Sequence, residues 1–317
     1  MRQKFVFWVE EYLFFPNPFQ KFISLLLIPL TFLYNLIVIV KRASSTPKNF
    51  GIPVVSIGNL IVGGSGKTPV VIHLAQKRKK CAVVLRGYGR ASKGLYVISH
   101  GGKVLENVST SGDEAMLLAQ KLPNATIIVS ENRQKGILKA KELNCNLVFL
   151  DDGFSKYNIH KFDILLRPFK EPTNIMCLPS GGYREPKMMY STAHLVLQEE
   201  IDFKRVVVFK KNKKTVDVLP PELLLLTAIS KAKRLLDYLP SNTVMKAFED
   251  HHVFTKTEIE EIKKEYPNYS IITTEKDMVK LEQFKIKDIY LMDLEIKLGD
   301  KVDMSELENY MKAFEEE

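Results

Sequence analysis

A glycine-rich loop between a strand and a helix places the strongest constraint on how this chain folds. The β-rich apolar run from Ile52 to Ile57 leads to Gly58 and then to a loop that reads Gly63-Gly64-Ser65-Gly66-Lys67-Thr68. Glycines are needed in such a loop because a Cβ would keep backbone N–H groups away from phosphate oxygens. The helix that follows presents its N-terminus to the same anion. We therefore expect a nucleotide-binding phosphate loop.

Lys67 and Thr68 have the side chains that a phosphate loop uses. We expect the Lys67 ammonium to reach the β and γ phosphates of a bound nucleotide and the Thr68 hydroxyl to bind Mg²⁺. The pattern is GGxGK[ST] rather than GxxxxGK[ST], since Ile61 replaces the first glycine of the longer pattern, and Val62 stands where many GGxGK[ST] proteins have lysine. The alternative interpretation is a glycine-rich turn that happens to precede a lysine.

Strand and helix patterns alternate beyond this loop. Predicted strands at 82–85, 126–129 and 147–150 are separated by predicted helices at 114–121 and 134–143. This alternation predicts an α/β fold of the P-loop NTPase type, with a mostly parallel sheet and helices on both faces. Further short strands, among them Val206–Phe209, are expected to extend the same sheet.

The charges divide the chain near Pro220. Residues 1–220 hold 32 Lys and Arg against 16 Asp and Glu, residues 221–317 hold 14 against 21, and the net charge is +9. The run Lys210–Lys214 is typical of a solvated turn or linker. We predict an apolar membrane-associated segment at 1–48, a P-loop ATP-binding domain at 49–214 and a smaller α/β domain at 215–317.

Composition excludes several classes of protein. Apolar residues make up 45% of the chain and charged residues 26%, which excludes a mainly disordered or collagen-like protein. Three cysteines without a CxxC pair argue against a disulfide framework or a thiolate zinc site, and they indicate a reducing compartment. The basic surface attracts nucleic acid, anionic lipid or phosphorylated substrates about equally well, so charge alone does not choose among them.

The N-terminus contains an uncharged apolar run from Phe22 to Val40, with Lys21 before it and Lys41 and Arg42 after it. The run has about the minimum length for a helix that spans a bilayer. The aromatic residues that precede it are typical of a membrane interface. We expect a monotopic or single-pass membrane anchor. The alternatives are a very apolar core helix and a cleaved signal peptide.

Two carboxylates, Asp151 and Asp152, end the apolar strand pattern at 146–150. A phosphate loop usually works with a carboxylate at the end of a neighbouring buried strand, which holds the metal directly or through water. Either residue is a candidate for this role, and the pair is also able to divide the work between metal and substrate. The alternative is an aspartate that caps a turn at Gly153.

Phosphoryl transfer to a hydroxyl further needs a base and cationic groups. Asp113 lies where a predicted helix begins and is a candidate base or a helix cap. Arg133 precedes another predicted helix, and Arg184 and Glu185 form a pair in a glycine-containing loop. Taken singly, each of these residues is more readily explained by a role in the fold than by a role in catalysis.

Eight segments in this order resemble the tetraacyldisaccharide 4'-kinase family, the membrane-associated lipid A 4'-kinases. They are GNLIVGGSGKTP at Gly58–Pro69, RGYGR at Arg86–Arg90, SGDEAMLLA at Ser111–Ala119, ENRQKG at Glu131–Gly136, LDDGF at Leu150–Phe154, YREP at Tyr183–Pro186, FEDHH at Phe248–His252 and TTEKD at Thr273–Asp277. Together they cover about residues 50 to 280. Eight ordered segments are far more specific than the phosphate loop alone.

The resemblance implies transfer of the γ-phosphate of ATP to the 4'-hydroxyl of a tetraacyldisaccharide 1-phosphate, with lipid IVA of lipid A biosynthesis as the product. It implies ATP and Mg²⁺ as cofactors, and an anionic lipid substrate at an anionic membrane surface. No nucleic acid and no obligate protein partner is expected. The implied location is the cytoplasmic face of the bacterial inner membrane.

The resemblance also implies roles for individual residues. Asp113 resembles the base for the 4'-hydroxyl, and His251 resembles its partner. The implied phosphate and metal groups are Lys67, Thr68 and Asp151, and the implied charge-stabilising or metal-adjacent groups are Arg133, Asp152, Arg184 and Glu185.

One departure from the family pattern follows Phe154, where the family commonly has Gln-His and this chain has Ser155-Lys156.

The main rival interpretation is a membrane-bound partitioning or targeting ATPase, which also uses a GGxGK[ST] loop. Val62 and the large acidic second domain argue against that rival. A nucleic-acid-associated NTPase is suggested only by the basic surface, without an aromatic-basic recognition motif.

Overall fold

The computed structural model describes residues 2–63, 66–229, 232–249 and 252–314. The chain forms two compact units that alternate along the sequence. Unit 1 comprises Met1–Val71, Ile137–Lys204 and Leu298–Glu317, and unit 2 comprises Ile72–Gly136 and Arg205–Lys297.

Helices and strands are distributed along the whole described chain. The α-helices are α1 (Arg2–Phe14), α2 (Pro18–Leu26), α3 (Ile28–Ala43), α4 (Lys67–Ala75), α5 (Val108–Ser111), α6 (Asp113–Lys121), α7 (Arg133–Glu142), α8 (Lys256–Glu265), α9 (Glu275–Leu281) and α10 (Ser305–Lys312). The strands are β1 (Val54–Gly58), β2 (Cys81–Leu85), β3 (Tyr96–His100), β4 (Lys103–Val104), β5 (Thr126–Val129), β6 (Leu147–Asp151), β7 (Phe162–Arg167), β8 (Leu195–Gln198), β9 (Phe203–Lys211), β10 (Lys214–Thr215), β11 (Leu223–Thr227), β12 (Val244–Ala247), β13 (Ser270–Thr274) and β14 (Ile289–Leu298). Short 3₁₀ helices lie at Lys187–Thr192, Ala232–Tyr238 and Glu282–Phe284.

Unit 1 contains four parallel strands in the order β6-β1-β7-β8. Every residue of β1 and β6 is buried, as expected for parallel strands that are covered on both faces. The register places Ile57 opposite Asp151. Because the strands run in the same direction, their carboxyl ends lie at one edge, and this edge carries Gly58 and Asp151.

Unit 2 contains two groups of strands. The first has the order β4-β3-β5-β2, in which β2 and β5 are parallel and the hairpin of β3 and β4 is antiparallel. The second is a six-stranded sheet in the order β10-β9-β14-β13-β11-β12. The neighbours from β14 to β12 in this order are parallel. The prediction of a mostly parallel α/β fold is confirmed.

One strand lies in a different sheet from the one that was expected. Val206–Phe209 forms part of β9, in the six-stranded sheet, so the prediction that it extends the sheet of the phosphate loop is wrong. A short apolar run indicates a strand but does not specify its partner. The run Lys210–Lys214 forms the tip of the β9–β10 hairpin. Asn212 and Lys213 have φ values of 49° and 65°, as a two-residue turn of this hand requires.

The apolar N-terminal run forms two helices rather than one. α2 ends at Leu26 and α3 begins at Ile28, with a bend of 58° between them. In the described part of the chain, no single helix has the length and apolar composition to cross a membrane, whereas this bent pair passes that test together. The expected continuous helix over Phe22–Val40 is therefore interrupted.

The polar residues of this apolar run bind a loop of the same unit. The Ser24 hydroxyl donates to the Ser180 carbonyl at 2.6 Å, and the backbone N–H of Ser180 donates to Thr31 Oγ1 at 3.0 Å. The Tyr34 hydroxyl donates to the Arg184 carbonyl at 2.7 Å. Hydroxyl groups that weaken the run as a free-standing span thus attach α2 and α3 to the loop that carries Arg184.

The apolar side chains of the same helices remain exposed. The Phe32 side chain is 71% exposed. The other exposed apolar side chains of these helices are Phe19, Phe22, Leu25, Leu26, Leu30, Leu33, Leu36, Ile37, Ile39 and Val40. A helix buried in a protein core would cover these side chains. The interpretation of this run as a core helix is therefore wrong.

Candidate functional site

The phosphate loop leaves the carboxyl end of β1 and enters α4 at Lys67. Gly63 and Gly66 have φ values of 96° and 77°, which residues with a Cβ rarely adopt. A Cβ at Gly63 would meet no other atom within 4 Å, so backbone conformation rather than space requires the glycine. Gly64 and Ser65, both predicted phosphate-binding residues, lie outside the described residues.

Lys67 is held at the end of β1 by Asn59, a residue of the glycine-loop segment to which the sequence assigned no role. The Lys67 ammonium donates to Asn59 Oδ1 at 3.1 Å and lies 3.7 Å from Asp152 Oδ1. Asn59 is buried, and its amide nitrogen donates to the Ile61 carbonyl at 2.9 Å. A polar residue directly after a buried strand was the available signal for Asn59.

Thr68 and Asp151, the two residues predicted to bind the metal at this loop, lie in contact. The Thr68 hydroxyl donates to Asp151 Oδ2 at 3.0 Å. Asp151 ends β6, is buried and lies beside the end of β1 through the pairing with Ile57. A hydroxyl next to a buried carboxylate is the arrangement that a phosphate loop presents to a divalent cation.

Asp152 lies in a tight turn after β6 and binds Arg184. Its φ is 55°, and its backbone N–H donates to the Ile57 carbonyl at 3.0 Å. A Cβ on the next residue, Gly153, would lie 2.6 Å from Leu150 Cβ, so only glycine fits there. The Arg184 guanidinium reaches both Asp152 oxygens, at 2.9 and 2.8 Å. Asp152 thus contacts two cationic side chains, those of Lys67 and Arg184.

Glu185 is a buried carboxylate beside the Arg42 side chain. Burial raises the pKa of Glu185, and a hydrogen bond from the Tyr157 hydroxyl and the positive charge of Arg42 act in the opposite direction. Arg42 Nη1 lies 3.7 Å from Glu185 Oε2. Among the described residues, Oε2 has no hydrogen-bond partner. Tyr157 and Arg42 are further residues that sequence reasoning missed.

The donor set in unit 1 fits a hard divalent cation. Such cations bind oxygen ligands, and the Thr68 hydroxyl and the Asp151 carboxylate lie together here. Glu185, which contacts Arg42 and Tyr157, stays a predicted ligand. Within the described part of the chain, no group of three or more His, Cys, Asp or Glu forms a complete metal cluster. A cation at this site would therefore need further oxygen ligands from phosphate or water.

Asp113 is the first residue of α6, in unit 2. Gly112 before it has a φ of 78°, and a Cβ there would lie 3.0 Å from the Tyr88 carbonyl. Asp113 is only 6% exposed, and its Oδ2 lies 3.7 Å from the Lys280 ammonium. The N-cap position of α6 is Gly112, and Asp113 Oδ1 accepts from the backbone N–H of Glu114 at 3.1 Å, so the Asp113 side chain binds the first turn of the helix.

Arg133 begins α7 and is buried in unit 2. Its guanidinium donates to the Ser130 carbonyl at 2.6 Å, directly after β5. Gly136, one turn later, packs against β2, where a Cβ would lie 2.5 Å from Val84 Cγ1. This close contact fixes the first turn of α7 and with it the position of Arg133.

His252 and His251 differ in what the structure shows. Asp250 and His251 lie outside the described residues, so the role of His251 stays a prediction. His252 stacks on Phe248 with ring centroids 4.6 Å apart, and its Nε2 lies 3.1 Å from Glu258 Oε1. Glu258 also caps the N-terminus of α8. His252 is therefore engaged in local structure at this helix.

Comparisons with known proteins agree over nearly the whole chain. The family model for tetraacyldisaccharide-1-P 4'-kinase matches residues 23–312. A tetraacyldisaccharide 4'-kinase of Aliarcobacter butzleri (strain RM4018) is 58% identical over 314 residues, which are 99% of this chain and 100% of the relative. A tetraacyldisaccharide 4'-kinase of Helicobacter pylori (strain J99) is 41% identical over 309 residues, which are 96% of this chain and 95% of the relative.

A solved structure shows the same fold. LpxK from Aquifex aeolicus in complex with ATP superposes with a TM-score of 0.75 at 27% sequence identity, over 92% of this chain and 99% of that chain. The family match, the two relatives and this structure all agree with the resemblance carried by the eight sequence segments. The chain belongs to the tetraacyldisaccharide-1-P 4'-kinase family.

Proposed function

We propose that this chain transfers the γ-phosphate of ATP to the 4'-hydroxyl of a tetraacyldisaccharide 1-phosphate and so forms lipid IVA. The observation that carries the proposal is the phosphate-loop edge of unit 1, where Lys67, Thr68 and Asp151 lie together in a chain that the family model matches over residues 23–312. The ATP complex of the Aquifex aeolicus protein supports ATP as the phosphate donor.

The phosphate loop supplies the groups that bind and orient ATP in this proposal. Backbone N–H groups around Gly63 and Gly66 and the N-terminus of α4 bind the phosphates. The Lys67 ammonium, oriented by Asn59, stabilises the negative charge on the transferred group. Arg184, oriented by Asp152, is a second cation of this unit that is able to serve the same purpose.

Mg²⁺ is proposed as the metal, held by Thr68, Asp151 and Glu185. A bound magnesium ion neutralises charge on the β and γ phosphates. Asp152 was expected beside the metal, but both of its oxygens accept from Arg184. We therefore propose that Asp152 holds the cationic side chains in position.

Asp113 is the proposed general base. Its carboxylate accepts the proton of the 4'-hydroxyl while the oxygen attacks the γ-phosphorus, so that the proton goes to Asp113 and the leaving group is ADP. The burial of Asp113 and the ammonium of Lys280 near it keep a carboxylate in a defined position at the start of α6. His251 remains the expected partner of Asp113.

The exposed apolar side chains of α2 and α3 are proposed to lie in the bilayer, at the cytoplasmic face of the bacterial inner membrane. Lys41, exposed in the last turn of α3 directly after the apolar run, is proposed to face anionic head groups. An acylated substrate resides in the same membrane. The hydroxyl contacts to the loop at 177–184 support this proposal because they connect the anchor directly to Arg184.

The deciding experiment is transfer of labelled γ-phosphate from Mg-ATP to tetraacyldisaccharide 1-phosphate in detergent micelles. We expect labelled lipid with the wild-type enzyme, and losses of about 100-fold or more for Lys67→Ala and Asp113→Ala. Lys79→Ala, at an exposed position in another segment, serves as the matched control with unchanged activity. ATP hydrolysis without lipid labelling would overturn the proposal in favour of a membrane ATPase.

A further inference from the structure

We infer that Lys280 is a positioning residue for the proposed base: it binds the carboxylate of Asp113 and is itself fixed by Asp277. The inference rests on the proposed function, because it assigns Lys280 a role in the reaction only if Asp113 is the base. All three residues belong to unit 2.

The geometry places one ammonium between two carboxylates. Lys280 Nζ donates to Asp277 Oδ1 at 3.1 Å and lies 3.7 Å from Asp113 Oδ2. The exposed fractions are 7% for Lys280, 6% for Asp113 and 0% for Asp277. At this degree of burial, water does not replace a lost partner, and a carboxylate without a cation is costly to keep ionised.

Asp277 is held more firmly than a surface partner would be. Its Oδ2 accepts hydrogen bonds from the Thr227 and Thr274 hydroxyls, each at 2.8 Å, and from the Ala228 backbone N–H at 3.0 Å. Thr227 ends β11 and Thr274 ends β13. Asp277 therefore connects the carboxyl ends of two parallel strands to α9, and its second oxygen orients Lys280.

These contacts form a continuous series from the sheet to the base. The strand ends position Asp277, Asp277 positions Lys280, and Lys280 positions the Asp113 carboxylate at the start of α6. A general base is effective only when its carboxylate lies within hydrogen-bond reach of the proton that it removes. Loss of the Lys280 ammonium is therefore expected to reduce the rate of the chemical step more than the binding of ATP.

A neighbouring lysine provides a matched control. Lys276 lies on the same helix and binds Glu114, the residue after Asp113, at 2.5 Å. Lys276 and Glu114 are both partly exposed. Substitution of Lys276 removes a cation from the same helix pair without removing the contact to Asp113.

The test compares Lys280→Met, Lys280→Arg and Lys276→Met. For Lys280→Met we expect kcat to fall about tenfold or more while KM for ATP changes less than about twofold. Lys280→Arg keeps a cation and should restore part of the loss. Lys276→Met should retain wild-type kcat. Circular dichroism and thermal unfolding identify the fraction of each variant that is folded, and kcat is expressed per folded enzyme.

A double-mutant cycle with Asp113→Ala separates positioning from a purely structural role. If Lys280 acts through Asp113, Lys280→Met should have no further effect on the residual rate of the Asp113→Ala enzyme. Equal fold losses in both backgrounds, or wild-type kcat per folded Lys280→Met enzyme, would overturn the inference. Absence of lipid phosphorylation by the wild-type enzyme would instead overturn the proposed function, and the role of Lys280 with it.

Discussion

Arg184 binds both carboxylate oxygens of Asp152, with Nη1–Oδ2 and Nη2–Oδ1 distances of 2.9 and 2.8 Å. The same Nη2 donates to the backbone carbonyl of Asn59 at 2.9 Å. One guanidinium thus connects the residue after β1, the residue after β6 and the segment at 183–186. A planar side chain with several fixed donors is suited to this task.

Arg184→Lys is expected to impair the enzyme because an ammonium cannot reproduce the two parallel hydrogen bonds to Asp152. The expected loss in kcat/KM is about 10- to 100-fold. Steady-state kinetics with ATP and lipid varied separately measure it. Arg167→Lys is the matched control, because Arg167 in the same unit pairs with Glu171 rather than with Asp152. Equal activity of wild type and Arg184→Lys would contradict the assignment.

Asp151→Asn is expected to weaken metal binding, because a neutral amide replaces a carboxylate ligand. The Mg²⁺ concentration for half-maximal rate should rise about 10- to 100-fold. Thr68→Val should act in the same direction, since it removes the hydroxyl that contacts Asp151. Direct binding of Mn²⁺ in the presence of an ATP analogue provides a readout independent of turnover. An unchanged metal requirement in both variants would exclude Thr68 and Asp151 as the ligands.

Thr31→Val is expected to destabilise unit 1. The substitution keeps the shape of the side chain but removes the oxygen that accepts from the backbone N–H of Ser180. A buried donor left without a partner costs about 1–3 kcal/mol. Urea unfolding in detergent measures the change in the free energy of unfolding. Thr110→Val, at a partly exposed position in another segment, is the control, and an equal change for the two variants would count against the role of Thr31.

Phe32→Ser combined with Leu36→Ser is expected to weaken membrane binding while stability is retained, because both side chains are exposed. Flotation with vesicles that contain anionic lipid should recover less of this variant than of the wild type. Replacement of exposed apolar side chains elsewhere, such as Val218→Ser and Ile201→Ser, provides a control of similar hydrophobic loss. Undiminished flotation of the Phe32 and Leu36 variant would argue against this face as the anchor.

Glu275→Gln is expected to change how stability depends on pH. Burial and a hydrogen bond shared with Asp293 raise the pKa of Glu275 to about 8, whereas that hydrogen bond and Lys121 and Lys210 lower the pKa of Asp293 to about 2. The native Glu275 keeps its proton where the unfolded one has lost it, so stability falls as pH rises from about 4.5 to about 8.

Glutamine is neutral throughout this range, so the variant should lose less stability between pH 6 and pH 8 than the wild type. The difference should be about 2 kcal/mol, given about 1.4 kcal/mol for each unit of pH over which one proton is retained. Denaturant unfolding at both pH values measures it. Parallel pH dependences of the two proteins would contradict the assignment of a shared proton to Glu275 and Asp293.

Several elements were predictable because their signals are local. The glycine loop, the strands that end at Gly58 and Asp151 and the helix that starts near Asp113 depend on residue types and spacing within short windows. Partners that are distant in the sequence were not predictable. Arg42, Tyr157 and Lys280 lie outside the eight family segments, and each gains its role from a contact with a residue far away in the chain. Asn59 lies in the first of those segments, but its contact with Arg184 joins residues 125 positions apart.

The sequence by itself determined the α/β class, the phosphate loop and the family, because glycine conformations, apolar periodicity and ordered motifs are written in consecutive residues. Only the tertiary structure decided which strands share a sheet, where the apolar N-terminal run breaks and which cations hold Asp113, Asp152 and Glu185. These features depend on backbone pairing and on burial. A buried polar group loses its contact with water, so distant parts of the chain must supply its hydrogen-bond partners.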